Sequence, residues 1–194
     1  MTDKLICPEV GFLLMKTESS SGTKETLALS DVVYVEEFTF GYVADMIPRT
    51  PRSPSRQGVM SRAGKKRVEW TATTELAMPD AFDTSTDVPH PDTFLKAAGF
   101  ARQDFTGALA EAAFYVLQVS NHESVSFEGY TFTADGASAN VIQGRGARAD
   151  FEISINPDDG RIMLGLTAGR ALEAATAAQT YDNSDSQSRA VTYY

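Results

Sequence analysis

The chain has 194 residues, enough for one domain with a sizeable core, and its 42% hydrophobic and 22% charged content is ordinary for a globular protein. A formal net charge of −9 argues against nucleic-acid binding by general charge attraction, and the single cysteine, Cys7, excludes an internal disulfide. Every apolar run is too short to span a bilayer and no signal-peptide pattern opens the chain, so we expect a protein that is intracellular when made.

Three segments before residue 77 have strand-like composition or alternation. Leu5–Lys16 has a short apolar core, and a loop-like segment, Thr17–Thr26, follows it. Leu27–Phe40 is the second predicted strand region. In Val68–Leu76 apolar and polar residues alternate strictly, which predicts a half-buried strand with the only tryptophan, Trp70, on its core face.

The middle of the chain predicts one helix and two further strands. Pro91-Asp92-Thr93 is typical of a helix start, and Gly99 is a suitable terminator. Ala112–Val119 and Val125–Phe132 are apolar and β-prone. The apolar phase of the second strand reverses at Gly129, which predicts a β-bulge there.

Ala147–Thr167 carries the clearest pattern in the sequence. Alternating residues run to Ile155, Asn156–Gly160 supplies turn chemistry, and the alternation resumes at Ile162, which predicts a β-hairpin. The alanine-rich segment Arg170–Thr180 predicts a short helix. The fold class expected is mainly β, a small barrel or sandwich with one short flanking helix, a long basic loop or hairpin arm and extended termini. We expect a single domain over residues 1–194, with a core at about 11–167, the arm at 47–67 and a C-terminal extension at 168–194.

The basic arm is the one segment whose charge pattern suggests a function. It holds seven of the 17 basic residues and none of the 26 acidic ones: Arg49, Arg52, Arg56, Arg62, Lys65, Lys66 and Arg67. One interpretation is a solvated loop; the other is an arm that contacts the acidic surface of a second copy of the chain. DNA binding is the weaker interpretation because the surrounding surface is acidic.

No pattern in the sequence predicts catalysis, a cofactor or a metal site. The two histidines have no ligand partners at metal spacing, and there is no phosphate loop and no Gly-x-Ser-x-Gly elbow. We therefore expect that the protein is not an enzyme. An alternative of a different class, a small β-barrel ligand- or carbohydrate-binding module, requires several exposed aromatic residues on one face, whereas most aromatics here fall at core-facing phase.

Four groups of residues resemble, in the same order, motifs of the major tail tube protein family of tailed bacteriophages. The first is Lys16–Thr23, which matches "Lys-x-Glu-x-x-x-Gly-Thr" and is followed by the strand Asp31–Val35, and the second is Gly64–Leu76, a basic turn before an "x-Glu-Leu" strand. The third is Pro91–Phe100, a helix ending in "Leu-x-x-x-Gly-Phe". The fourth runs from Ser124–Phe127 through Gly144–Ala147 to the closing hairpin and resembles a "Gly-Ala-Arg-Gly" strand set. The resemblance covers about residues 11–167.

This resemblance implies a small β-barrel subunit that assembles into stacked, hexameric rings around an acidic lumen that conducts DNA. The implied partners are copies of the chain itself, other tail proteins (the sheath of a contractile tail, the baseplate and the terminator), and passing DNA that is not bound specifically, with no membrane partner. The implied location is the virion tail, and the host cytoplasm before assembly. A baseplate hub, a distal tail protein or a tail terminator is the structural alternative, because such ring-forming tail components share the barrel.

Overall fold

A computed structural model of the chain describes residues 6–47, 62–76, 88–89, 91–106, 111–133, 139–155, 157 and 160–174. Within these residues the chain forms one α-helix, one 3₁₀ turn and nine strands: α1 (Asp92–Ala97), the turn (Leu29–Asp31), β1 (Ile6–Thr17), β2 (Val32–Val33), β3 (Glu37–Ile47), β4 (Arg62–Glu75), β5 (Phe100–Thr106), β6 (Glu111–Leu117), β7 (Val125–Thr133), β8 (Ala139–Ile155) and β9 (Ile162–Glu173). The expected mainly-β class is confirmed. No helix in the described ranges is long and apolar enough to cross a membrane.

Seven strands form one antiparallel sheet in the order β2-β1-β7-β8-β9-β4-β3. Its two edge strands, β2 and β3, are consecutive in the chain, and the residues between them are tied to β4: Thr74 Oγ1 donates to the Tyr34 carbonyl at 2.6 Å, and Glu36 N donates to Thr73 O at 2.8 Å. Phe40 of β3 also stacks on Phe127 of β7 with ring centroids 5.7 Å apart. These contacts bring the two ends of the sheet close together, so the sheet is strongly curled, and no strand ladder joins β2 to β3 within the described residues.

Strands β1 and β7 are buried on both faces, because a core cluster lies on each side of them. One cluster contains Leu13, Val125 and Phe127, together with Trp70 and the helix residue Phe94. The other contains Phe12, Leu14, Leu27, Tyr130 and Phe132 and is covered by the segment that follows β1. The predicted bulge at Gly129 is wrong: Gly129 pairs regularly with Leu13 and Ile142. The apolar phase reverses there because the strand passes from one core to the other.

The predicted β8–β9 hairpin is confirmed, with Ile155 opposite Ile162. Ala147 is buried and Phe151 packs on the main core, whereas Ile153 and Ile155 of the same face extend past the barrel and are exposed. A helix beginning at Arg170 is wrong, because β9 continues to Glu173 and pairs there with both β4 and β8. The rest of that prediction, residues 175–180, and the extended termini lie outside the described residues.

The predicted helix is confirmed as α1, with Phe94 and Leu95 buried. After it, β5 and β6 form a separate antiparallel hairpin. The Tyr115 hydroxyl of β6 donates to Asp92 Oδ1 of α1 at 2.9 Å, and Lys96 approaches the other Asp92 oxygen at 3.0 Å. Burial, followed by the Asp92 charge and hydrogen bond, raises the pKa of the Tyr115 phenol. One face of the β5–β6 hairpin is thereby fixed over α1.

Candidate assembly surfaces

The basic arm is a β-hairpin at its base. Strand β3 continues to Ile47 and β4 begins at Arg62, with those two residues opposite each other. Of the two expected forms of the arm, loop or hairpin, the hairpin is confirmed for this base, because Arg62–Arg67 are strand residues paired with β3. Arg49, Arg52 and Arg56 lie outside the described residues.

The described part of the arm has both polar and apolar faces. Arg67 lies 3.0 Å from Glu69 and hydrogen-bonds Asp45, and these bonds, Asp45 first, raise the pKa of its guanidinium. Its charge is thus matched inside the hairpin, whereas Lys66 is exposed. Tyr42 and Met46 continue the core face of β3 beyond the barrel, where they are exposed. An amphipathic hairpin that projects from its barrel is suited to contact another protein surface.

The outer face of the four strands β3, β4, β9 and β8 is polar and acidic. Cross-strand pairing places on it six carboxylates, four guanidiniums and many small residues; the charged ones whose side chains are described are Glu37, Asp45, Glu69, Glu75, Asp150, Glu152, Arg67, Arg145, Arg148 and Arg170. Hydroxyls pair across the strands, as Thr39 Oγ1 and Thr71 Oγ1 do at 2.6 Å. The carboxylates of this face outnumber its guanidiniums, so the face carries a net negative charge that disfavours contact with a polyanion.

Two strand edges are open within the described residues. Strand β2 pairs with β1 only at Leu13 and Leu14, so the outer edge of residues 6–11 has no partner strand in the described part of the chain. Strand β3 pairs with β4 along one edge only. Unpaired N–H and C=O groups at such edges can hydrogen-bond a strand of a second copy, which extends the sheet between subunits.

A buried carboxylate joins two of the sequence motifs that are far apart in the chain. Glu18, 8% exposed, accepts hydrogen bonds from Ser124 Oγ at 2.6 Å, Ser126 Oγ at 2.8 Å, and the backbone N–H groups of Gly22 and Gly146, both at 2.6 Å. Gly22 and Gly146 both have positive φ (+81° and +61°), and a Cβ on Gly146 would meet Gly22 Cα at 3.4 Å. The Glu and Gly of the first motif and the second glycine of Gly144–Ala147 therefore form one structural unit.

A second buried carboxylate, Glu128, lies in the same region. It accepts bonds from Lys24 Nζ and the Tyr130 hydroxyl, and from Gln143 Nε2 at 3.1 Å. Together Glu18 and Glu128 hold the segment after β1 across β7 and β8, where it covers the second core. No local pattern in the sequence marks either carboxylate as buried; for Glu18 the one signal is its fixed spacing to Gly22 in the first motif.

Among the described residues, no three His, Cys, Asp or Glu side chains come together in a way that could hold a metal ion. The chain matches no known protein-family model, and no curated protein is significantly similar to it in sequence.

Proposed function

We propose that the chain is a structural subunit of a phage tail tube, which assembles into stacked, hexameric rings around an acidic channel for DNA. The observation that carries this proposal is the Glu18 unit. The first and last of the four motifs that resemble the tail tube family are more than 100 residues apart, yet Glu18 bonds to both. Two motifs that also touch each other in the folded chain support a fold shared with that family better than either motif does alone.

The surfaces described above fit the parts of such a tube. The open edges of β1 and β3 are suited to join neighbouring subunits within a ring. The acidic outer face of β3, β4, β9 and β8 is suited to line the channel, where it would let DNA slide without adhering. The basic arm is suited to contact an acidic surface of an adjacent subunit or ring. In this role the subunit enters the virion tail from the host cytoplasm.

Charge reversal in the arm tests the proposal. The triple variant Arg49→Glu, Arg52→Glu, Arg56→Glu is expected to lose tube formation while the monomer stays folded, because like charges replace complementary ones at the contact. Negative-stain microscopy shows whether tubes form, and circular dichroism shows whether the variant is folded.

A control with two charge reversals outside the arm, Arg145→Glu and Arg170→Glu at exposed strand positions, matches the double arm variant Arg49→Glu, Arg52→Glu in net charge. This control is expected to assemble, since its substitutions make no arm contact. Normal tubes from the arm variant would contradict an assembly role for the arm.

A further inference from the structure

One end of the outer face of β3, β4, β9 and β8 carries carboxylates without basic side chains between them in the described chain. Cross-strand pairing puts Glu37 and Glu152 in one row, with Glu75 in the next row outward. All four guanidiniums of the face lie on the arm side of these rows. Arg161, beside the rows, is ion-paired with Glu36 and so adds no net charge there. We call this end of the strands the acidic end; the arm projects from the opposite end.

The sequence adds charge of opposite sign to the two ends. The connections that leave the acidic end, residues 77–87 and 156–160, hold five aspartates and no basic residue. The arm holds seven basic residues and no acidic one. Residues 1–5, 134–138 and 175–194, whose neighbours in the chain lie at the arm end, hold four acidic and two basic residues, which do not cancel the arm. Each copy is therefore electrically polar along its strands.

Both ends also expose apolar side chains within the described chain. At the arm end Met46 and Ile47 are 64% and 53% exposed, and at the acidic end Ile153 and Ile155 are 58% and 66% exposed. Each end thus combines apolar side chains with charge of one sign. Two such surfaces of opposite sign are complementary in both respects.

We propose that copies stack head to tail, with the arm of one copy docked on the carboxylate rows at the acidic end of the next. Charge selects this occupant: a chain with a net charge of −9 repels its own copies, and the arm is the segment that offsets this repulsion. The inference rests on the self-assembly in the proposed function and names the surface that the arm meets.

The placement of the two surfaces makes the contact an open one. Because they are different surfaces at opposite ends of the strands, the contact propagates from copy to copy and does not close as a dimer. It does not use the edges of β1 and β3, which lie at the sides of the strands and are suited to contacts within a ring. Exposed ion pairs contribute little one by one, but every copy of a ring repeats the contact with the next ring. Stacking is therefore expected to depend steeply on these charges.

Charge reversal at the acidic end is the first test. The triple variant Glu37→Lys, Glu75→Lys, Glu152→Lys is expected to form rings that do not stack into tubes in negative-stain microscopy, because the arm then meets lysines. Circular dichroism shows whether this variant is folded. If it is not, the corresponding Glu→Gln triple, which removes the charge and keeps the shape, is expected to raise the protein concentration at which tubes appear about tenfold.

Exchanging the charges of both ends is the second test. Combining the acidic-end triple with Arg49→Glu, Arg52→Glu and Arg56→Glu places an acidic arm opposite lysines and keeps the net charge of −9. Tubes are expected to return, because the two surfaces are again of opposite sign. A defect at one end is repaired by substitutions at the other end only if the two ends meet.

A matched control separates this contact from an effect of net charge. The acidic-end triple is combined with Arg145→Glu, Arg148→Glu and Arg170→Glu, which also keeps the net charge of −9 but leaves the arm basic. This control is expected to form no tubes, and tubes from it would overturn the contact.

The remaining outcomes distinguish this contact from the proposed function. Tubes from the folded acidic-end triple, or none from the folded combination with the arm reversals, would overturn the contact while tubes of the wild type left the proposed function standing. A wild-type chain that forms neither rings nor tubes would overturn both.

Discussion

Replacing Glu18 with alanine is expected to lower the free energy of unfolding by about 3 kcal/mol or more. The substitution removes an acceptor that is shared by four donors: the Ser124 and Ser126 hydroxyls and two backbone N–H groups. Because the site is buried, water cannot readily replace the lost carboxylate. Hydrogen bonds to a charged group are stronger than neutral ones, and the donors left unpaired add their desolvation penalty. Urea denaturation followed by the fluorescence of the single tryptophan, Trp70, measures the change.

Glu25→Ala is the matched control, because the Glu25 carboxylate lies in the same segment but accepts its hydrogen bonds from the nearby Ser19. The backbone N–H of residue 25, which donates to Ser126 Oγ at 3.0 Å, is kept in this variant. The denaturation midpoint of this control should stay close to that of the wild type. Equal midpoints for the two variants would show that Glu18 does not hold the segment to β7 and β8. The contact between the two motifs would then no longer support the proposed function.

Gly129→Ala is expected to destabilise the barrel by about 1–3 kcal/mol through overpacking. A Cβ at Gly129 would overlap the ring of Phe40, which reaches across from β3. That ring is held between Phe38, at a centroid distance of 4.8 Å, and Phe127, at 5.7 Å, so it cannot move aside easily. The effect depends on the strong curl of the sheet, since Phe40 and Gly129 belong to strands that are not neighbours in the sheet.

Gly41, which follows Phe40 in β3, provides the control for this prediction. A Cβ there meets nothing within 4 Å, so Gly41→Ala should be neutral or should stabilise by up to about 1 kcal/mol, because alanine loses less backbone entropy in a strand. Thermal unfolding of both variants separates the two cases. Similar melting temperatures would mean that Phe40 does not pack on Gly129 and that the sheet is more open than described.

Much of the fold follows from short-range patterns in the sequence. Alternation located the strand around Trp70 and the β8–β9 hairpin, and local capping signals located α1. These elements are set by periodicity and by neighbours within a few residues.

The wrong predictions share a dependence on distant contacts. Alanine-rich composition favoured a helix after Gly169, but pairing with β4 and β8 outweighs this weak propensity. Composition left a loop as one interpretation of the arm, but β3 supplies a partner strand for its residues Arg62–Arg67. The Glu18 unit joins residues more than 100 positions apart in the sequence, so no short-range pattern could predict that they touch.

The candidate surfaces were only partly predictable. Composition alone marked the basic arm, because charge clustering is visible in the sequence. The apolar outer face of β5–β6 was not predicted, because the same residues, Phe105 and Phe114, would suit a core strand. The bond from Tyr115 to Asp92 and the contact between Phe100 and Phe151 decide which face of that hairpin is outward.

Electron microscopy of the purified full-length protein across a concentration series tests the central claim most directly. That claim is that the chain acts by joining copies of itself around a channel. We predict rings with an open centre, and stacks of them forming hollow tubes at high concentration. Single particles without rings at every concentration would contradict the account.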